Sequence, residues 1–120
     1  MATRDEMRAA TLGENSTFTK ELITYGGYEY ELREPALWQR TIIMQKSKIT
    51  GPENSEKRDL GLLVAYAVVQ CVYKPGTEER VYEDTDVPGM LNRSCHSWVS
   101  LFGDKILNAM NVKADEAVKN

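Results

Sequence analysis

The chain has 120 residues, enough for one compact domain with a single core and too few for a multidomain enzyme. Hydrophobic residues at 42% and charged residues at 28% are the proportions of an ordinary folded globular protein and exclude a wholly disordered chain. Fifteen Lys and Arg against eighteen Asp and Glu leave a net charge of −3, which does not favour a phosphate backbone as partner.

The longest apolar stretch, residues 60 to 72, is interrupted by Gly61 and Gln70 and falls short of the roughly 18 to 20 residues a bilayer-spanning helix needs. No membrane partner is expected. Residues 1 to 14 carry charges of both signs and no apolar run of the secretory kind, so a cytosolic location is expected. Residues 1 to 19 read as a mobile arm in which Met7, Ala9, Ala10 and Leu12 hint at a turn or two of helix. The folded domain is expected over residues 20 to 112, followed by a polar C-terminal tail over 113 to 120.

The first ordered element is a hairpin. Leu22, Ile23 and Tyr25 precede Gly26-Gly27, a two-residue loop that permits the positive φ angles of a tight hairpin turn, and Tyr28, Tyr30 and Leu32 follow it. Pairing across the loop sets Tyr25 opposite Tyr28 and Ile23 opposite Tyr30, so these four share one face with Leu32, while Glu29, Glu31 and Arg33 share the other. An isolated hairpin is marginal in water, so the aromatic face must rest on helices or on another subunit.

Pro35 ends the strand and suits the first turn of a helix over about residues 35 to 48. Leu37, Thr41 and Met44, with Trp38 and Ile42 beside them, predict its buried face. Gly51 and Pro52 open a polar link over residues 51 to 58. A second helix is expected to start near Ser55 or Glu56 and run to Val72. It is apolar in nearly every direction, the pattern of a central helix. After a charged loop over residues 77 to 86, with an extended piece at Val81-Tyr82, a last helix is expected. Leu91, Cys95, Trp98, Phe102, Ile106 and Met110 form its stripe, and Gly103 is its weak point. The expected architecture is mainly α within an α+β class: three principal helices and an N-terminal two-stranded hairpin.

Candidate chemistry is sparse. Cys95-His96 invites a thiol-nucleophile reading, but adjacent residues of a helix point about 100° apart and cannot pair. Cys71, Cys95 and His96 lack the short ligand spacing of a zinc site, and both cysteines, lying in apolar helical patterns, are expected as buried free thiols. The acidic run Glu83-Asp84-Thr85-Asp86 lacks the later ligands of a calcium loop and reads as a helix cap. Catalytic residues, metal ligands and cofactor-binding residues are therefore not expected. The aromatic residues are the candidates instead: Tyr25, Tyr28, Tyr30 and Trp38 are expected to contribute to a self-association or partner surface. Burying an aromatic ribbon and an all-round apolar helix strains a core this small, so a homo-oligomer is expected.

The order of hairpin, short helix, polar link, apolar helix, acidic loop and amphipathic helix resembles the tail assembly chaperones of long-tailed bacteriophages. The strings Leu32-Arg33-Glu34-Pro35 and Val81-Tyr82-Glu83-Asp84 carry most of the likeness. The resemblance spans residues 21 to 112 and implies a non-enzymatic protein without cofactors. Such a protein binds the tape measure protein, keeps it soluble and helps recruit tail tube protein in the host cytoplasm, and is absent from the mature virion. One rival is a structural tail or neck component retained in the virion. Another is a regulator that binds nucleic acid through Lys46, Lys48, Lys57 and Arg58, although the basic residues of this region are diluted by acids along the chain. An enzyme built on Cys95 and His96 comes last.

Overall fold

A computed structural model describes residues 1–12, 19–48 and 59–110. The polar link, a helix start near Ser55 or Glu56, and the tail over residues 113–120 lie outside those residues. The described elements are α1 (Arg4–Leu12), β1 (Lys20–Tyr25), β2 (Tyr28–Arg33), α2 (Leu37–Lys46), α3 (Leu60–Cys71), β3 (Val72–Tyr73), a single 3-10 turn (Asp84–Asp86), α4 (Val87–Leu91) and α5 (Trp98–Ala109). The class is the expected α+β one. Its three principal helices are α2, α3 and α5, and α1 and α4 are short additions.

The hint of helix near the N-terminus is realised in α1. Thr3 Oγ1 accepts from the Glu6 N–H at 3.2 Å, an N-cap bond, and α1 buries none of its residues. The hairpin has the expected register, with Tyr25 paired to Tyr28 and Ile23 to Tyr30. Gly26 and Gly27 adopt φ of 61° and 87°, the left-handed pair that a two-residue turn between twisted strands demands.

The sheet has three strands rather than two. Val72 leaves α3 and turns extended as β3, pairing antiparallel with Leu32 of β2, and Tyr73 pairs with Glu31. An apolar run cannot reveal such a switch from its period alone. The expected extended piece near Val81 is what closes this edge, through a bridge of Tyr73 with Arg80 and a 3.0 Å bond from the Val81 N–H to the Val72 carbonyl.

Helix α3 is central as expected and packs on α2, α4 and α5. It begins at Leu60, where Asp59 Oδ1 accepts from the Leu62 N–H at 2.9 Å and serves as N-cap. Leu63, Ala65, Ala67, Val68, Val69 and Cys71 meet Leu32, Ile43, Val72, Val87, Met90, Val99, Phe102, Ile106 and Leu107 in one core.

Two expectations about helix faces are corrected. Helix α2 turns Gln39 and Ile43 inward rather than Leu37, Trp38 and Thr41, which are exposed; Ile42 and Met44 are half-buried. The cause is Gln39. Its Oε1 accepts from the Ala36 N–H at 2.9 Å, and its Nε2 donates to the Gln70 carbonyl at 2.7 Å and to Tyr73 Oη at 3.0 Å. Every polar atom of this buried side chain is thus satisfied, by the N-cap of α2 itself and by groups of α3 and β3, and the last two fix the rotation of α2. The last helix is two helices, because residues 92–97 form a turn. The Ser94 carbonyl accepts from the Ser97 N–H at 2.9 Å and Ser94 Oγ from the His96 N–H at 3.2 Å, local bonds of the kind that compete with a helical ladder.

The polar face of the hairpin is sealed by the loop after β3. Arg33 bonds Glu31 and the Thr77 carbonyl, reaches Glu78 Oε2 at 3.0 Å, and lays its guanidinium 3.9 Å from the centre of the Tyr73 ring. Burial alone pushes the Glu31 carboxyl up, but the Arg33 bond, the Gly76 N–H and the charges of Arg33 and Lys20 outweigh it and hold the group below its ordinary value of 4.5. A lowered folded value means that this stabilisation is present above the ordinary carboxylate range and is lost as pH falls through the folded value. Glu31→Gln is therefore expected to cost about 1.5 kcal/mol near neutral pH. The gap from the parent protein should narrow at about pH 3, as urea unfolding at the two pH values will show. A gap that stayed constant would mean that Glu31 does not titrate with folding.

Candidate interaction surface

The hairpin tyrosines divide between core and surface. Tyr25 and Tyr30 lean on Phe102 of α5, with ring centroids at 6.0 Å and 5.2 Å, and Trp98 meets Phe102 from another side at 5.8 Å. The aromatic ribbon therefore rests on a helix of its own chain. Tyr30 is half-buried, Tyr25 is 43% exposed, and Tyr28, beside the turn, is 72% exposed. Tyr28 and Tyr30 line an open cleft of about 430 Å³ together with Lys74, Glu79, Arg80 and Val81. Tyr25, Tyr28 and Tyr30 are thus one surface, half of it anchored and half of it free.

Trp38 belongs elsewhere. It stands 61% exposed on α2, which packs on α3, and it joins none of the ring contacts among the described residues. Its neighbour Leu37 is 85% exposed. The four aromatic residues singled out by sequence are therefore split between the hairpin and α2. Sequence reasoning missed Leu37, because the same stripe that marks α2 as amphipathic was assigned to the core. A cleft of about 410 Å³ between α3, α4 and α5, walled by Leu60, Val64, Met90, Leu91 and Val99, also went unforeseen, because it opens where the last helix breaks.

Cys95 and His96 are both exposed in the turn between α4 and α5, so Cys95 is not the buried thiol expected of it, and the helical spacing argument does not apply there. Cys71 is buried, and burial pushes its thiol up to about 12, which keeps it protonated and inert. Among the described residues, no three His, Cys, Asp or Glu side chains gather closely enough to hold a metal ion. No helix among them is long and apolar enough to cross a membrane. What the arrangement offers is aromatic and aliphatic contact area with a few charges beside it, the chemistry of protein recognition.

Among solved structures, the fold is similar to that of the bacteriophage HK97 tail assembly chaperone, with a TM-score of 0.55 and 12% identity over 91% of this chain and all of that one. At that identity the likeness is one of fold. No protein-family model and no curated protein sequence matches the chain.

Proposed function

We propose that this protein is a tail assembly chaperone of a long-tailed bacteriophage, acting without catalysis through protein contacts. It binds the tape measure protein, keeps it soluble in the host cytoplasm, and helps recruit tail tube protein before leaving the assembled tail. The observation that carries this reading is the fold likeness to the HK97 tail assembly chaperone, which extends over all of that chain. Solvent-facing Tyr28, Leu37 and Trp38 add support, because a protein that covers apolar stripes of a long helical client needs such groups on its surface. Tyr25, Tyr28 and Tyr30 supply the self-association or partner surface of the hairpin.

Co-expression with the tape measure protein encoded beside this chain tests the reading, followed by size-exclusion chromatography with light scattering. A soluble complex holding many copies of this chain per tape measure chain is expected. If the tape measure protein remains insoluble while this protein elutes alone, and mass spectrometry finds this chain in purified particles, a structural tail or neck component replaces the chaperone.

A further inference from the structure

The outward face of α2 combines features found together nowhere else among the described residues. Leu37 and Thr41 lie one turn apart on it, Trp38 is beside them, and Gln45 continues the row. Leu37 and Trp38 are the adjacent pair of large apolar side chains with 85% and 61% exposure. The opposite face is closed by Gln39 and Ile43, so α2 cannot roll its apolar residues inward without breaking the two hydrogen bonds that Gln39 makes to Gln70 and Tyr73.

The charge is equally one-sided. Residues 35 to 48 hold Arg40, Lys46 and Lys48 and no acid, within a chain of net charge −3. Along the chain these cations look diluted, but among the described residues only Lys46 of the three meets an acid, bonding Asp84. Arg40 on α2 and Lys48, just past the Ser47 C-cap, are exposed and make no ion pair among the described residues.

We infer that the outward face of α2 seats an amphipathic helix of a partner protein whose apolar stripe is flanked by Asp and Glu. Leu37 and Trp38 enter that stripe, and Arg40 and Lys48 meet its acidic flanks. The helix of ten residues is about 15 Å long, a seat for roughly three turns of partner, and a ridge at four-residue spacing is the shape that packs into the groove of another helix. Two uncommitted cations are too few for a phosphate backbone, which needs a longer basic stripe. Thr41 and Gln45 interrupt the face with polar groups, which does not suit insertion into lipid. This inference deepens the assembly reading and rests on it for the partner's being a protein.

The test uses the full chain and fluorescence anisotropy of labelled helical peptides of about 20 residues, long enough to hold a helix. One peptide carries Leu at helical spacing with Glu on both flanks, its twin carries Lys in place of Glu, and an oligonucleotide and phosphatidylserine vesicles serve as further probes. The Glu peptide is expected to bind at least about ten-fold more tightly than the Lys twin. Trp38→Ala should weaken it about ten-fold. The double substitution Arg40→Glu with Lys48→Glu should reverse the preference. All three side chains are exposed, so thermal unfolding of the variants is expected to match the parent protein. Equal affinity for the two peptides, no binding of the Glu peptide, a stronger response to the oligonucleotide or vesicles, or an oligomer mass that changes with Trp38→Ala each overturns the inference. If the tape measure protein is solubilised as well by these variants as by the parent chain, this surface is wrong and the chaperone reading stands. If the parent chain itself fails to solubilise it, that reading falls whatever the peptides do.

Discussion

Phe102→Ala is expected to lower unfolding free energy by about 3–5 kcal/mol, the range for truncating a buried aromatic residue. The ring is 1% exposed and lies at the meeting of Tyr25, Tyr30 and Trp98. Its removal subtracts apolar burial and leaves a void that three stiff rings cannot close by small adjustments. It also releases the hairpin, because the aromatic face that an isolated hairpin must bury is seated here. A domain of this size has a total of about 5–15 kcal/mol to lose, so the variant is expected to be partly unfolded at physiological temperature. Urea unfolding should show the loss, and amide exchange should speed up first across β1 and β2. A cost below about 1 kcal/mol would mean that the rings repack around the gap and that Phe102 is not what holds the ribbon to the helices.

The seat of that ribbon shows what was legible in the sequence. Register and face of the hairpin follow from local information: a Gly-Gly turn and alternation on either side of it. The central character of α3 is likewise local, since a helix apolar all round has no solvent face to offer. The rotation of α2 is different. It depends on Gln39 meeting Gln70 and Tyr73, residues 31 and 34 positions further along, and no periodicity carries that information. Polarity alone would leave Gln39 on the solvent side, where polar residues are mostly found. The break at residues 92–97 did leave a trace. Asn92, Ser94 and Ser97 are of types that favour turns and caps over helix interiors, and Ser94 Oγ does bond nearby backbone, but the three- and four-residue recurrence of Leu91, Cys95 and Trp98 is the stronger local signal.

The same two misjudged faces decide the candidate surface. With Leu37 and Trp38 inward, α2 would have been plain core; turned outward, they become the most exposed apolar pair on a principal helix. With an unbroken last helix, Cys95 would have been buried and the cleft beside Leu91 closed. The hairpin tyrosines were placed on the correct face, yet two of the three rest on Phe102, so only Tyr28 is largely free to meet a partner.

By helix propensity alone Gly103 is a weak point of the last helix, since Ala in its place would favour the helix by about 1 kcal/mol. Within the fold the sign reverses. Gly103 is buried where α5 crosses α3, and a Cβ added there would stand 2.5 Å from Val64 Cγ1 and 3.2 Å from the Val64 carbonyl oxygen. The Val64 side chain can swing aside at some cost in packing, but its carbonyl is part of α3, the helix at the centre of the core. Overpacking of this kind costs about 1–3 kcal/mol, so Gly103→Ala is expected to destabilise the domain by about 1–2 kcal/mol after the gain in helix propensity. Gly103→Leu, which must push the two helices apart, should cost more than about 3 kcal/mol and loosen every element that α5 supports, the hairpin included. Val64→Ala removes the nearer of the two clashes. It should therefore cost less in the Gly103→Ala background than in the parent chain, a coupling of about 1 kcal/mol in a double-mutant cycle. If Gly103→Ala instead raised the unfolding midpoint, the close crossing would be wrong and helix propensity alone would govern the site. The expected loss makes this glycine the point at which the two longest of the described helices are allowed to touch, which no count of helix formers along the chain could indicate.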